Sequence, residues 1–495
     1  VLVLLFFLSL TVVTVWGTWQ EPLPDSNDAV LAETGREVLT THDLTVMHFD
    51  GAPVHDTPPL VPWMLSAFYA VFGVNNFSAR LPFVILSVLS VYLIYLAGRL
   101  ASRDHDRDES RPSIFGSLPT GLGLLSAIIL ASSPFFSRFS PHITTGLPFA
   151  FFSSMALVGW LSTGWGGEAL WGVGVGGGVL AFGAGGYLLI VGAALASAVD
   201  RERRAVWRRP GFVAATIVGA VAGALWLFPE TARGGVSVWR SPLWAPLVGV
   251  LHPSARSISS VLAVCSDSLL RNLPWSIPAV FASARIVFAR GERRHNEWVA
   301  RVDWALFIFA AALFFPTAFG GSREPSLYLA ALPFGAVLSS REIVRWIARS
   351  SRRVTRPIWT FNHIMTAVFC LLMLLLVATP LHLRRVGPDP IQDVARMAGR
   401  LVPAGERVGN YRQRYRVQCA RMLFYGDRSL EEPRTDPSAV AAAIEKNPGR
   451  IFLSSLEDVD SLRRAGDFPF NLRVLYGSGD LVLFAAEQHP AAGSR

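Results

Sequence analysis

The chain has 495 residues, 51% of them hydrophobic and only 16% charged, and its mean hydropathy is +0.39. That balance excludes an ordinary soluble globular protein and points to a multi-spanning membrane protein, although length alone would suggest several soluble domains. The formal net charge of +9 is almost wholly arginine, Lys446 being the only lysine, so the basic balance does not imply a nucleic-acid partner.

Cys265, Cys370 and Cys419 are odd in number and far apart, which gives neither a disulfide framework nor a metal cluster and leaves the redox compartment open. The opening run VLVLLFFLSLTVVTVW lacks a basic leader and a small-residue cleavage pattern, so it reads as a first transmembrane helix. A crossing needs about 20 apolar residues. Runs near that length lie at about 1–18, 82–98, 117–136, 145–161, 168–183, 185–199, 211–228, 273–289, 302–318, 325–340 and 359–381, predicting an α-helical polytopic membrane protein with about eleven spans, within 9 to 13. The glycine-rich stretch 172–196 predicts closely packed helices.

Arginine-rich loops at 99–111, 201–209, 290–301 and 341–356 all fall on one side if the first helix runs outward, which makes that side cytoplasmic by the positive-inside rule. The segments 19–81, 137–144, 229–272 and 319–324 then face outward, as does everything after residue 381. Residues 1–381 form the membrane domain, with a long first outer loop at 19–81. PPLVPWMLSAFYAVFG (58–73) and WRSPLWAPLVGVLHP (239–253) are apolar but short, and suit interfacial helices or buried connectors.

The first outer loop concentrates chemistry. Asp25, Asn27, Asp28, Glu33, Arg36 and Glu37 follow the first apolar run, in a segment expected to be helical from a cap near Asn27 or Asp28. Moving a group from a lipid phosphate to a hydroxyl or amine needs a carboxylate base and cationic or metal help for the departing phosphate. Asp25, Asp28 and Glu33 are the candidate bases, and simple capping and solvation of a loop is the competing explanation. HFDGAPVHDTPPL sets His48, Asp50, His55 and Asp56 within nine residues. Two His and two Asp on a loop are weak evidence for a transition metal, and turn chemistry around Gly51 and Pro53 accounts for Asp50. His55 and Asp56, just ahead of the prolines, are expected to be held rigidly.

Further along, Arg138 and His142, then Arg271, then Arg323, Glu324 and Tyr328 stand at successive outer mouths. Arginine offers a fixed fork suited to phosphate, while an interfacial snorkel is the plainer alternative for each. Their convergence on one face favours a polyprenyl-phosphate ligand. Beyond 382, helix and strand signals alternate: helices at 389–402, 417–426, 437–449 and 456–466, strands at 406–411 and 450–455, and a hairpin at 470–487 around GSGD. Residues 382–495 are therefore a small extramembrane α/β domain. It carries no nucleotide-binding or zinc-protease motif.

REVL, HDLT and FDGAPVHDTPPLVPWMLSAFYAVFGVNNFSARLP, followed by SRFS, GLPFAFF, LLRNLPW and SREPSLYLAALP, resemble in order the ArnT-like and protein O-mannosyltransferase-like membrane glycosyltransferases of the GT-C fold. The resemblance implies an inverting transferase that moves a sugar from a polyprenyl-phosphate sugar to a lipid, glycan or protein acceptor at the outer face of a bacterial inner membrane. It also implies roles: Asp28 as base or site organiser, Asp56 fixing donor or acceptor, and Arg138, His142, Arg271, Arg323 and Tyr328 near the donor phosphate. Asp25, Asn27, Glu33, Arg36 and His55 support them, and a divalent cation is an open addition. Some motif positions depart from the family. Asn27-Asp28 stands for Asp-Glu, Asp56-Thr57-Pro58 for Glu-Lys-Pro, and Ser322-Arg323 for Ser-x-Lys. The alternative is therefore a silent GT-C-like subunit of a membrane complex. A transporter would carry ionisable residues at midplane on broken helices, which is not the pattern here.

Overall fold

The computed structural model describes residues 2–15, 22–24, 27–102, 118–199, 204–235, 244, 258–288, 297–319, 325–351, 389–464 and 468–487. In chain order these form α1 (Leu2–Val15), α2 (Asn27–Thr41), β1 (Met47–Phe49), β2 (Ala52–Val54), α3 (Leu60–Phe72), α4 (Asn76–Ser102), α5 (Leu118–Ser132), α6 (Pro134–Phe139), α7 (Gly146–Leu161) and α8 (Trp165–Phe182). A 3₁₀ turn (Gly183–Tyr187) leads to α9 (Leu188–Val199), α10 (Pro210–Gly234), α11 (Ile258–Arg271), α12 (Ser276–Phe288) and α13 (Glu297–Phe319). A second 3₁₀ segment (Pro325–Ala331) precedes α14 (Leu332–Ser351). The C-terminal part contains α15 (Pro390–Leu401), β3 (Gly409–Asn410), α16 (Tyr415–Gly426), α17 (Pro437–Lys446), β4 (Phe452–Ser455), α18 (Leu456–Arg464), β5 (Leu472–Ser478) and β6 (Leu481–Ala486).

The chain divides into two compact units: Val1–Thr18, His55–Val61 and Arg80–Leu383, and Trp19–Val54, Pro62–Ala79 and Arg384–Arg495. Most of residues 19–81 thus belongs with the C-terminal part, whereas the His55–Val61 turn belongs with the helices.

The first unit is a helical bundle whose closest contacts are made by glycine. A Cβ on Gly159 of α7 would lie 2.4 Å from the Trp171 nitrogen of α8, and one on Gly219 of α10 would lie 2.3 Å from the Gly172 carbonyl. The backbones of α7, α8 and α10 therefore touch with nothing between them, the packing expected where small residues line apolar helices. At Gly183 (φ +67°) the chain leaves α8 and turns back, so that a Cβ on Gly186 would meet the Val179 nitrogen at 2.3 Å. Pro210 starts α10 at a position where its missing N–H costs nothing, and Gly235 (φ +65°) follows its end.

Ten of the expected apolar runs coincide with described helices, and the eleventh, 359–381, lies outside the described residues. Among the described residues three helical stretches, Asn76–Ser102, Trp165–Val199 and Pro210–Gly234, are long and apolar enough to cross a membrane by length and composition. The expected count of eleven is not confirmed on that measure, in part because Gly121–Ser132, Gly146–Leu161 and Ser276–Phe288 are shorter than a crossing. The protein is nonetheless a multi-pass, largely α-helical membrane protein with a C-terminal α/β region. One expectation is corrected: 341–356 was expected to be a loop, but α14 continues to Ser351, and Arg341 is buried. The segment 58–73 forms α3 as expected, and 239–253 lies outside the described residues apart from Trp244.

In the second unit the C-terminal sheet has the order β3-β4-β6-β5, with β3 and β4 parallel and the other pairs antiparallel. Tyr411, Val440, Ile444, Phe452, Val459, Leu462, Val482 and Phe484 form its core, with the Phe452 and Phe484 rings stacked at 5.4 Å. The strand expected over 406–411 shrinks to Gly409–Asn410, flanked by single bridges at Val408 and Tyr411, and Arg412 (φ +60°) then leaves the extended region. The hairpin at GSGD forms as read, turning at Gly479 (φ +55°). A Cβ on Gly35 of α2 would lie 2.5 Å from the Cβ of Leu65 on α3, and the Tyr69 ring of α3 meets Phe424 of α16 at 6.2 Å.

Candidate functional site

The acidic segment of the first loop is α2. Asp28 lies in its first turn, where a negative charge complements the helix dipole, and is buried with 6% exposure, whereas the neighbouring Asn27 is exposed. One and two turns on, the carboxylates are committed to partners. Arg36 donates through Nε (2.9 Å) and Nη2 (2.7 Å) to Glu33 and through Nη1 (2.8 Å) to Asp427. Complete burial of Glu33 pushes its pKa up to about 7 against the pull of Arg36. Burial alone would loosen the Arg36 proton, but hydrogen bonds to Glu33 and Asp427 hold it more firmly than usual.

Glu37 accepts the backbone N–H groups of Asp50 (2.6 Å) and Gly51 (3.1 Å). Burial raises its pKa in spite of those bonds. Asp50 (φ +55°) and Gly51 (φ +73°) form the two-residue turn joining β1 to β2, a left-handed pair for which Asp-Gly is the preferred sequence. Turn chemistry thus accounts for Asp50, whose carboxylate also accepts Tyr415 Oη at 3.0 Å and pairs with Arg407 at 3.2 Å. Burial raises the Tyr415 pKa, and the bond to Asp50 adds to the effect. Burial also pushes the Cys419 thiol up to about 11.

In the first unit, the turn before α3 is held from one side. His55 Nδ1 lies 2.5 Å from Glu230 Oε1, and Glu230 is 1% exposed at the end of α10, one residue after the interior Pro229. Arg233 approaches the other carboxylate oxygen at 3.6 Å, too far for a hydrogen bond. Next to His55, Asp56 accepts the Thr57 hydroxyl at 3.1 Å. The turn expected to be rigid is therefore anchored by a buried acid, and the adjacent Asp56 is half-buried.

The cationic mouths are partly gathered in the same unit. Ser133, the residue before α6, donates to the Asn272 side chain at 2.5 Å, which ties the helix bearing Arg138 to the end of the helix bearing Arg271. The 3₁₀ segment bearing Tyr328 packs against α6. Arg138 is exposed, and the His142 ring sits edge-on to Phe139 at 5.9 Å. Arg271 pairs with Asp267 on its own helix at 2.6 Å. Tyr328 is buried, its ring 5.0 Å from Phe314. Asp25 and Arg323 lie outside the described residues. Among the described residues no three His, Cys, Asp or Glu side chains are placed to share a metal ion.

Sequence reading missed Glu230, Asp427 and Tyr415. Glu230 had a signal, an acid directly after a proline at the end of an apolar run. Asp427 and Tyr415 had none, since their partners are more than 350 residues away in sequence.

A family model described as dolichyl-phosphate-mannose-protein mannosyltransferase matches residues 56–104. An undecaprenyl phosphate-alpha-4-amino-4-deoxy-L-arabinose arabinosyl transferase of Pseudomonas fluorescens is 25% identical over 381 residues, which is 73% of this chain. The chain spans 60% of that relative's length. An uncharacterized protein of Aquifex aeolicus is 27% identical over 32% of the chain and 27% of its own length. The crystal structure of ArnT from Cupriavidus metallidurans in the apo state superposes with a TM-score of 0.68 at 16% identity, over 97% of each chain. The same protein bound to undecaprenyl phosphate gives 0.67 at 15% identity, over 99% of each. The resemblance read from the sequence is borne out as a likeness: the chain is similar in sequence to an ArnT-type transferase over most of its length and shares the fold of ArnT.

Proposed function

We propose that the protein is an inverting glycosyltransferase that moves a sugar from a polyprenyl-phosphate sugar to a lipid, glycan or protein acceptor at the outer face of a bacterial inner membrane. The observation that carries the proposal is the ArnT-like fold along almost the whole chain, since in that relative the same fold binds undecaprenyl phosphate. Asp28, buried in the first turn of α2, is the candidate base or site organiser. Asp56, on the turn anchored by Glu230, fixes donor or acceptor. Arg138, Arg271, Arg323, His142 and Tyr328 serve the donor phosphate, with charge-assisted bonds from arginine stabilising the leaving phosphate as the glycosidic bond breaks. Glu33 and Arg36 support the loop structurally, since each is already the other's partner.

Transfer from a labelled polyprenyl-phosphate sugar by the purified chain, compared with Asp28→Asn and Asp56→Asn, tests the reading. Loss of about 10²-fold or more in either variant supports it. Equal turnover in all three removes both residues from the mechanism. The departures at Asn27 and Thr57 favour a second reading, a silent subunit, whose signature is stoichiometric copurification with partners and no turnover with any acceptor.

A further inference from the structure

A cavity of 480 Å³ opens in the second unit where α2, the residues after α3, α15 and α16 meet. Its lining includes Arg36, Arg396 and Arg400 against a single acid, Asp427. Asp427 is already engaged by Arg36. Arg396 and Arg400 are exposed, one turn apart on the same face of α15, and neither makes an ion pair with any described residue. Four other arginines of this unit are neutralised, Arg407 by Asp50, Arg412 by Asp458, Arg421 by Asp389 and Arg434 by Glu431. The helix bearing Arg396 and Arg400 is fixed in place. Arg428 donates to the carbonyls of Val402 (2.8 Å) and Gly399 (3.1 Å) at its C-terminal end, and Asp389 caps its start.

Two guanidinium groups that no described acid neutralises, on a fixed helix at the rim of a cavity, form a site for a group with several oxygens and a negative charge. Phe424 and Val74 add apolar wall beside them. We propose that this cavity binds a phosphate group carried on a sugar or a lipid headgroup, a recognition site separate from the residues assigned to the donor phosphate. The site stands whether or not the chain transfers a sugar.

The test uses the full chain in phosphatidylcholine nanodiscs, titrated calorimetrically with glucose 6-phosphate and with glucose. The expected result is binding of the phosphorylated sugar alone, weakened at least about tenfold in Arg396→Ala/Arg400→Ala and partly retained in the double lysine variant, in keeping with the fork geometry of arginine. Arg473→Ala, on exposed β5, leaves the affinity unchanged, and matching thermal unfolding shows that the variants fold. Repeating the titration in phosphatidylglycerol nanodiscs separates the sources: competition identifies a lipid headgroup, and an unchanged affinity identifies a phosphate on a soluble or glycan-borne sugar. Absence of binding up to millimolar probe, or equal binding by wild type and the double alanine variant, overturns the proposal.

Discussion

Arg36 grips Glu33 with two of its nitrogens one turn away on α2, and turns its third to Asp427. A wholly buried carboxylate with one cationic partner shared between two acids keeps its proton more readily than it does in water, hence the rise from 4.5 to about 7. Because the folded value lies above the unfolded one, the folded state binds the extra proton between them. The stability contribution is therefore fully present below pH 4.5 and is lost as pH rises through 7. Glu37, also raised by burial, acts in the same sense. The thermal unfolding midpoint of the detergent-solubilised protein is expected to fall between pH 5 and pH 8, by an amount equivalent to ~1–3 kcal/mol. Glu33→Gln flattens that slope. An unchanged slope in the variant assigns the pH dependence elsewhere.

Tyr425 joins three separate stretches of sequence within the second unit. Its hydroxyl accepts the Leu23 N–H at 2.7 Å and donates to Asn76 Oδ1 at 2.8 Å. Tyr425→Phe removes one hydroxyl but strands a donor and an acceptor, which costs about 1–3 kcal/mol when such groups are buried. The expected outcome is a lower unfolding midpoint together with faster proteolytic cleavage near residues 22–24. Unchanged protection there shows that this bond does not restrain the segment.

These two networks also mark the limit of what local sequence could show. The turn at Asp50-Gly51, the α2 helix after its acidic start, α3 behind its prolines and the GSGD hairpin were all legible, because each depends on residues within a few positions of one another. The association of Leu23 and residues 27–54 with a domain beginning near 389 was not, since it rests on Arg36–Asp427, Tyr415–Asp50 and Tyr425–Leu23. Side-chain chemistry was legible as residue type only. Glu33 read as a candidate base from its residue type, whereas its burial and its bond to Arg36 appear only in the structure. The α14 extension was masked by the charges of 341–351, which resemble a loop until Arg341 is seen to be buried against Asp303.

Glu230 is expected to act as a positioning residue for the turn carrying Asp56. Its bond to His55 at 2.5 Å fixes the imidazole directly beside that acid. Misplacement of a reacting group by about 1 Å can cost about 10²-fold. Glu230→Gln keeps shape and one acceptor and is expected to lower kcat by about tenfold with KM little changed. Glu230→Ala should cost about tenfold more. A purely structural role for Glu230 predicts instead equal specific activity per folded molecule in both variants.

Asp303 illustrates how a buried charge can stabilise by making its neighbours tolerable. It is fully buried in α13 and accepts Arg341 Nε at 2.6 Å, Arg285 Nη2 at 2.9 Å and Arg345, while Glu342 takes second bonds from Arg285 and Arg345 at 3.0 Å. Arg341 also donates to the Ala101 carbonyl at 2.6 Å, so the cluster ties α12, α13 and α14 to the end of α4. Removing the acid leaves three guanidinium groups facing one carboxylate, and breaking a buried pair in this way costs about 3–5 kcal/mol. Removing one cation is milder, because Asp303 retains two others. Asp303→Ala should therefore lose more stability than Arg341→Met, and the double variant should be more stable than the sum of the two losses predicts, since the second change removes a cation that the first left unpaired. Denaturation of the four proteins in one detergent measures the coupling, and strict additivity would show that Asp303 and Arg341 stabilise the bundle independently.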